Sequence, residues 1–383
     1  MTPMGDLPKL LLVQADPVFE DGDGRWAIAA KTLSGVREFA RRWPGEVVVS
    51  APVRRSESLE AIPLHEIVER HDLPFGIVSY ADPVVAAKAV APAVALALHT
   101  PRNYPLLAWD AARTVFTLEN GARQRLRIES MQDATVQGRA RIAVGHARRF
   151  PEFRRSLRRA AGLQCNGYAA WESVRRLATP SILFFDHRIT ESDLRVVPHD
   201  RPLRRGALKL GFSGRHIPIK GPGYAIDLVE ALRAEGVEVE MTVFGDGALR
   251  SALEAEAGEG VRFTGDLPFA EEWVPEVRDD IDVMVLPYPQ GDPAGTYIEA
   301  FALGVPVLGF ANDAFRPLVE RHDVGWAVPV GDRRGLLAQA RDLYAGADEV
   351  RRKSMSASSF AKEHSMENEF GVRVAHLRDI AQV

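Results

Sequence analysis

The sequence predicts an α/β protein with two domains, each built on a parallel β-sheet. Short apolar runs alternate with longer amphipathic stretches along the chain, a pattern typical of βαβ units. The chain has 383 residues, which is more than one hydrophobic core usually organises. The alternation also starts again in the second half, at Leu208–Phe212. We therefore expect two domains of similar size with a cleft between them.

The first half contains the patterns of a sheet, a helix and a glycine loop. Apolar residues recur at intervals of three and four over Ile28–Phe39, which predicts a helix, and a flexible loop is expected before it at Asp21–Gly24. Leu163–Gly167 indicates a short strand and turn at a sheet edge. His99 directly follows a strand, where side chains of open parallel sheets face ligands. The other predicted strands are Leu10–Val13, Val47–Ser50, Phe75–Tyr80 and Ala93–Leu98.

The second half repeats this pattern as a nucleotide-binding type of sheet. After Leu208–Phe212 come a glycine-rich turn and a helical pattern at Tyr224–Ala234. The strands predicted next are Glu238–Phe244, Val261–Thr264, Val283–Leu286 and Val305–Gly309.

The domain limits follow from a change in composition. Pro198–Gly206 has two prolines and four charged residues among nine, which is typical of a linker. We therefore expect an N-terminal domain over residues 1–200 and a C-terminal domain over 201–360. The helical pattern at Glu367–Ile380 indicates that residues 361–383 form a helix that packs back toward the N-terminal domain.

Composition excludes several classes of protein. No apolar run approaches the roughly 20 residues that cross a bilayer, and the start of the chain has no basic segment of a signal peptide. We therefore expect a cytoplasmic protein. The single cysteine, Cys165, excludes an intrachain disulfide and a cysteine-rich metal site. The formal net charge of −4 argues against a general nucleic-acid binder, so no nucleic-acid partner is expected.

A basic amphipathic helix is predicted over residues 148–159. One interpretation is a helix face that is exposed to solvent. The other is a surface that docks on an anionic membrane or on an anionic acceptor molecule. Docking on the membrane would place the protein peripherally at its inner face. Its cations are Arg148, Arg149, Arg154, Arg155, Arg158 and Arg159.

A candidate phosphate site follows the first strand of the second half. The segment from Gly211 to Arg215 reads Gly-Phe-Ser-Gly-Arg, and Lys220 adds a second cation before the next helix. Glycines such as Gly214 let the backbone approach a ligand closely, and exposed amides with two cations suit a diphosphate. An ordinary βα turn with solvent-facing charges is the alternative.

A second candidate segment lies at residues 292–307. A loop leads into a helix whose first turns contain Thr296 and Glu299. The amide groups of Gly295 and Thr296 at the helix N-terminus would face phosphates, and Glu299 could accept hydrogen bonds from a ribose diol.

These segments, in this order, resemble the retaining glycosyltransferases of family four, the glycosyl transferases group 1. The resemblance implies the GT-B fold, in which two Rossmann-like domains with parallel sheets face a central cleft. It implies that the N-terminal domain (1–200) lies on the acceptor side and that the C-terminal domain (201–360) binds the nucleotide-sugar donor. It also implies a metal-independent sugar transferase in carbohydrate biosynthesis that uses a nucleotide sugar, most often a UDP-sugar. The matching landmarks are Gly214-Arg215 with Lys220-Gly221, Phe244–Gly247, Val261–Gly265, Asp282–Pro287 and Glu299–Val307.

The resemblance implies roles for individual residues. Arg215 and Lys220 would hold the donor diphosphate, Glu299 the ribose, and the backbone from Gly265 to Leu267 the nucleobase. Gly214 and Gly245 would belong to the same donor site. In the first half, His99 would contact the donor sugar. The loop of Gly22 and Gly24 would meet the phosphates or the acceptor.

One departure from the family pattern concerns its first glutamate. The family carries two glutamates separated by seven residues, and the position eight before Glu299 is Gly291. The neighbouring Asp292 is a candidate substitute for contact with the donor sugar.

The resemblance therefore implies a retaining transfer to a saccharide, lipid-linked or small-molecule hydroxyl, with no metal or other cofactor. Arg215, Lys220 and the Gly295 and Thr296 amides would stabilise the leaving diphosphate. Two alternatives share the architecture: a nucleotide-sugar epimerase, and a non-catalytic binding protein that has lost the first glutamate.

Overall fold

The structure is a computed structural model that describes residues 7–62, 64–131, 135–195 and 206–383. Contacts divide the chain into two units. The first contains the residues up to Ala122 with Val144–Phe184 and Glu367–Val383, and the second contains Arg123–Ala143 and Phe185–Met366. The boundary expected between residues 200 and 201, and all of the linker except its last residue, lie outside the described residues. The described residues that precede this linker, from Phe185 onward, pack with the second unit rather than the first.

Strands form at short apolar runs in the parallel sheets, where they are covered on both faces, and at more polar runs in a smaller mixed sheet. In chain order they are β1 (Lys9–Val13), β2 (Val18–Glu20), β3 (Arg25–Ala29), β4 (Glu46–Ser50), β5 (Val53–Arg55), β6 (His65–Glu69), β7 (Gly76–Val78), β8 (Val94–Leu98), β9 (Thr114–Leu118), β10 (Gly162–Asn166), β11 (Ser181–Phe184), β12 (Leu208–Ser213), β13 (Val239–Phe244), β14 (Val261–Gly265), β15 (Val283–Leu286), β16 (Val307–Phe310) and β17 (Gly325–Val328).

Helices connect these strands. In chain order they are α1 (Ala30–Arg42), α2 (Pro83–Val90), α3 (Leu106–Asp110), α4 (Ala122–Met131), α5 (Val136–Arg159), α6 (Gly167–Val174), α7 (Glu191–Arg195), α8 (Pro222–Ala234), α9 (Arg250–Glu256), α10 (Val274–Asp280), α11 (Gly295–Ala302), α12 (Phe315–His322), α13 (Arg333–Ala345), α14 (Ala347–Glu363) and α15 (Met366–Ala381).

The main sheet of the first unit is parallel and has the strand order β11-β10-β9-β8-β1-β4-β7. This is a doubly wound arrangement, because the chain adds strands on one side of β1 and then on the other. The expectation of an edge strand at Leu163–Gly167 is wrong. β10 pairs with β9 on one side and β11 on the other, and its residues are buried.

A second, smaller sheet in the first unit has the order β5-β2-β3-β6. The glycine loop at Asp21–Gly24 is the turn of its antiparallel β2–β3 hairpin, not a loop leading from the first strand into a helix. The Asp21 carboxylate fixes this turn by accepting hydrogen bonds from the Asp23 and Arg25 amides at 3.0 and 2.9 Å. The helix predicted from Ile28 begins at Ala30, because Ile28 belongs to β3.

The C-terminal helix α15 packs on the first unit through two kinds of contact. The Phe370 ring meets the Phe39 ring edge to face, with centroids 5.0 Å apart. Arg373 is buried, and its Nε donates to the Gln164 side-chain oxygen at 2.9 Å while the Gln164 amide donates to the Arg373 carbonyl at 2.9 Å. This reciprocal pair satisfies two buried polar side chains and fixes α15 against β10.

The sheet of the second unit is parallel, with the order β14-β13-β12-β15-β16-β17. Strand order therefore reverses between β12 and β15. Open α/β sheets bind ligands at the carboxyl ends of the strands beside such a point. The loops that follow β12 and β15 are where a ligand site is expected.

Helix α5 contains the basic segment predicted at residues 148–159, and that segment's arginine side chains are exposed. Within the described ranges, no helix combines the length and the apolar content that a bilayer span requires.

Candidate functional site

The site is built from the loops after β12 and β15. Tyr288, in the second loop, donates its hydroxyl hydrogen bond to the carbonyl of Ser213 at the end of β12. The Lys220 ammonium group lies 4.5 Å from the centre of the Tyr288 ring. A cation this close to an aromatic face is attracted to it. Tyr288 therefore holds both loops together and orients Lys220.

Glycines allow these loops to approach closely. Gly221 adopts a left-handed φ of 62°, and a side chain there would meet the Pro287 carbonyl oxygen at 2.5 Å. Gly245 has φ 101°, and its missing side chain leaves space for the Gly214 carbonyl. Only glycine meets both demands, the positive φ and the lack of space. The loops after β12, β13 and β15 therefore converge at the carboxyl edge of the sheet.

The two predicted cations lie in this region. The Arg215 side chain is exposed, and in the described part of the chain no carboxylate pairs with its guanidinium. Lys220 is half-buried at the end of the short 3₁₀ helix Pro218–Lys220. An exposed cation without a carboxylate partner can bind a phosphate without first breaking an ion pair.

A buried histidine follows Arg215 in the same loop. The His216 ring is fully buried between Phe212 and Phe263, with centroids 6.2 and 6.0 Å away. Neither ring nitrogen has a hydrogen-bond partner among the described residues. Burial lowers the pKa of His216 below 6.5, although the carboxylates of Asp246 and Asp266 oppose this. The ring is therefore neutral in the folded protein near neutral pH.

This histidine should make folding sensitive to acid. Above about pH 6.5 the ring is neutral in both the folded and the unfolded chain, so protonation contributes nothing. As the pH falls below that value, the unfolded chain binds a proton more readily than the folded chain does. The free energy of unfolding therefore decreases as the pH falls from 6.5 to the lower pKa of the folded state. We measure the urea midpoint of His216→Leu minus that of wild type at pH 5 and at pH 8. This difference should be more favourable to His216→Leu at pH 5 than at pH 8.

The exposed His71 supplies the control, since its side chain is 80% exposed and its replacement by leucine removes no buried imidazole. An equal difference between wild type and His216→Leu at both pH values would contradict the assignment.

Helix α11 begins at the site, as expected, but its first residues already have protein neighbours. A side chain on Gly295 would meet the Asp186 carbonyl oxygen at 2.8 Å, so the backbone near Asp186 passes directly over this residue. The Thr296 hydroxyl hydrogen-bonds to Tyr288, whose phenol pKa is raised well above its ordinary value by burial. Gly295 is therefore required for packing, and Thr296 supports the loop after β15.

Glu299 is buried on the same helix and has a charged partner that the sequence did not reveal. Arg188 Nε donates to Glu299 Oε1 at 3.1 Å. The Glu299 side chain is 6% exposed and that of Arg188 is 36% exposed. The Arg188 guanidinium also lies 3.6 Å from the centre of the Phe269 ring. Arg188 thus links the carboxylate expected at the ribose to the loop after β14.

The space beside Gly291 explains the missing first glutamate. A side chain at this position would meet the Cβ and amide nitrogen of Asp313 at 2.9 Å each. The Gly291 carbonyl accepts a hydrogen bond from the Gln124 side chain of α4. Asp292 is half-buried, and its amide donates to the Gln290 side chain. The loop is thus held from both sides in a form that has no room for a side chain at 291.

The nucleobase segment forms the next part of this edge. Gly265 has φ 77° and forms an isolated bridge with Gly245, whose amide donates to the Gly265 carbonyl at 2.8 Å. Leu267 follows in the half-buried loop after β14. The loop is therefore tied to the loop that follows β13.

His99 is buried in the first unit, and its contact with the donor sugar stays a prediction. Its side chain is 1% exposed, and Nε2 lies 2.8 Å from the Ser156 hydroxyl. The rings of Tyr104, Phe116 and Phe153 enclose it, with centroids 4.8, 5.2 and 4.8 Å away. An imidazole enclosed in this way packs the core of the first unit.

The two hairpin glycines of the first unit have more space around them than Gly221 and Gly245 have at the site of the second unit. Gly22 and Gly24 are exposed, Gly24 has φ 90°, and a side chain at either would meet nothing within 4 Å. The positive φ of Gly24 allows the turn, and the contact of both glycines with a ligand stays a prediction. The Asn166 amide donates to Glu119 at 2.9 Å, so these two polar residues at strand ends hold each other.

Comparison with known proteins gives a family match in the second half of the chain. Residues 207–346 match the family model described as glycosyl transferases group 1. The amylovoran biosynthesis glycosyltransferase AmsK of Erwinia amylovora is 29% identical over 43% of this chain and 41% of its own length. The 2-deoxystreptamine N-acetyl-D-glucosaminyltransferase of Streptomyces fradiae is 37% identical over 30% of this chain and 28% of its own length. The chain thus spans less than half the length of these relatives.

The likeness to solved structures extends over almost the whole chain. HepE of Anabaena in complex with UDP superposes with a TM-score of 0.64, covering 98% of this chain and 100% of that one at 15% identity. The chain therefore has the GT-B fold, with two Rossmann-like domains. Residues 207–346 have the sequence of a group 1 glycosyl transferase domain.

Proposed function

We propose that this protein is a glycosyltransferase that moves a sugar from a nucleoside diphosphate donor to a hydroxyl acceptor. One observation carries the proposal: three glycine-containing loops meet at the strand-order reversal of the second sheet and present Arg215 and Lys220 there. Backbone amides and cations at such an edge suit a diphosphate. The match of this segment to the group 1 glycosyl transferases supports the same assignment.

The donor we propose is a UDP-sugar. Arg215 and Lys220 bind its diphosphate, Glu299 its ribose, and the backbone near Leu267 its base. The complex of HepE with UDP supports uridine, because that protein shares the fold along its entire length. Asp292 is the proposed contact to the donor sugar, since it follows Gly291 in the same loop.

The transfer we propose retains the configuration at the sugar carbon. The bond from that carbon to the diphosphate breaks as the acceptor oxygen approaches from the same face, and the leaving phosphate takes the acceptor proton. Arg215 and Lys220 neutralise the charge that develops on the diphosphate, which is electrostatic stabilisation. Two side-chain cations can serve this purpose, so the proposal includes no metal.

The acceptor we propose is a hydroxyl of a saccharide, a lipid-linked sugar or a small molecule. The relatives named for amylovoran biosynthesis and for 2-deoxystreptamine support this range. Peripheral contact with an anionic membrane would use α5, where exposed arginines accompany Val144 and Phe150, which are 50% and 44% exposed. Co-sedimentation with anionic vesicles tests this contact separately.

The experiment is a panel of nucleoside diphosphates and nucleotide sugars, tested by calorimetry against wild type, Arg215→Ala and Arg341→Ala. Arg341 is the matched control because it is a half-exposed arginine that pairs with Glu235, away from the carboxyl edge of the sheet. We expect UDP to bind wild type and Arg341→Ala equally, and Arg215→Ala about tenfold or more weakly.

Other results would direct the assignment elsewhere. Donor consumed without any acceptor, with the sugar converted to an epimer, would favour an epimerase. Binding without turnover on any acceptor would favour a non-catalytic protein. The absence of nucleotide binding by wild type would contradict the proposal.

A further inference from the structure

Arg188 joins the ribose carboxylate to an aromatic stack in the second unit. Its guanidinium lies on the Phe269 ring, and Phe269 in turn stacks on Trp273 with centroids 5.2 Å apart and planes at 18°. The Trp273 indole donates to the Ser213 hydroxyl at 3.1 Å, at the end of β12. Glu299 is thus connected through Arg188 to the strand that precedes the proposed diphosphate loop.

This contact leaves half of the carboxylate available. Oε1 of Glu299 accepts from Arg188 Nε, whereas Oε2 makes no hydrogen bond to the part of the chain that the structure describes. A carboxylate with one oxygen fixed by a stacked arginine can rotate little, because Arg188 is itself held on the Phe269 face. Its second oxygen therefore keeps a constant direction.

We propose that Arg188 is a positioning residue for the donor ribose: by holding Oε1 of Glu299 on the Phe269 stack, it directs Oε2 to accept a hydrogen bond from a ribose hydroxyl. This inference rests on the proposed function and extends it to a residue outside the 207–346 segment. It also assigns a reason for residues 185–190 to pack with the second unit.

Burial explains why an arginine is needed. Glu299 is almost fully buried, and a buried carboxylate without a partner is strongly disfavoured. Arg188 supplies that partner at Oε1, which leaves Oε2 to accept a hydrogen bond from a neutral hydroxyl. Lysine would keep the charge but would lose the planar group that stacks on Phe269 and fixes the direction of the pair.

The test couples a change in the protein to a change in the ligand. Binding of UDP, 2′-deoxy-UDP and 3′-deoxy-UDP is measured by calorimetry for wild type, Arg188→Met, Arg188→Lys and the control Arg341→Met. In wild type and the control, we expect loss of the ribose hydroxyl that contacts Glu299 to weaken binding about tenfold or more. In Arg188→Met, the ratio of the Kd of that deoxy form to the Kd of UDP should fall to within about twofold of one. The ratio for Arg188→Lys should lie between those of Arg188→Met and wild type.

Each remaining outcome overturns the inference in a recognisable way. If Arg188→Met weakens UDP and both deoxy forms by the same factor, Arg188 acts only on the fold of the site. If Arg188→Met binds UDP more tightly than wild type, Arg188 competes with the ribose for Glu299 and does not position Glu299 for it. If wild type binds no UDP, the proposed function itself fails. The two preceding outcomes overturn only the role of Arg188, because wild type still binds UDP in both.

Discussion

The double variant Arg215→Ala/Lys220→Ala is expected to lose at least about a hundredfold in kcat/KM with a UDP-sugar and its acceptor. Each cation makes a charge-assisted contact worth about 1.5 kcal/mol or more, and 1.36 kcal/mol is tenfold in rate. The charge on the diphosphate grows as the bond to the sugar breaks, so kcat should fall more than KM rises.

The single variants make this result interpretable. Arg215 is exposed, so Arg215→Ala should fold normally, whereas Lys220→Ala also removes a cation from the Tyr288 face. Arg215→Lys should recover part of the rate, since it keeps the charge without the fork of donors. Turnover of the double variant within threefold of Arg341→Ala would exclude both residues from the chemistry.

Local patterns predicted the parallel sheets well because each strand is encoded by its own residues. Runs such as Leu10–Val13 and Val283–Leu286 are apolar throughout and buried on both faces. The β2–β3 hairpin was missed because its strands are only three and five residues long, and β3 continues directly into α1. An apolar pattern that crosses such a junction looks like one helix.

The parts of the site that could not be predicted depend on distant residues. Arg188 is 111 positions before Glu299, and its neighbours Asp186 and His187 show no repeated spacing that would indicate a ligand site. His99 follows a strand as a ligand contact would, but residues as distant as Ser156 enclose it. Gly291 departs from the family pattern in sequence, and only its contact with Asp313 gives the physical reason.

Restoring the first glutamate of the family, through Gly291→Glu, is expected to destabilise the second unit without increasing turnover. A Cβ at this position would lie 2.9 Å from both the Cβ and the amide nitrogen of Asp313, closer than such atoms approach, and backbone cannot easily move away. Overpacking of this kind costs about 1–3 kcal/mol. The new carboxylate would also lie near that of Asp313, and like charges in a half-buried loop repel.

Three variants separate the steric cause from the electrostatic one. Gly291→Ala adds only the Cβ and should retain most of the destabilisation, measured as the urea midpoint. Gly258→Glu is the control, because a side chain there would meet nothing within 4 Å, and its effect should stay within about 0.5 kcal/mol.

A Gly291→Glu protein as stable as wild type and faster in turnover would show that the loop has room for the glutamate. Asp292 would then not be its replacement. The alternative result is that Gly291→Glu is destabilised, while Asp292→Ala loses turnover and remains as stable as wild type. In that case Asp292 supplies the carboxylate one position along the chain, because Asp313 leaves no space for a side chain at position 291.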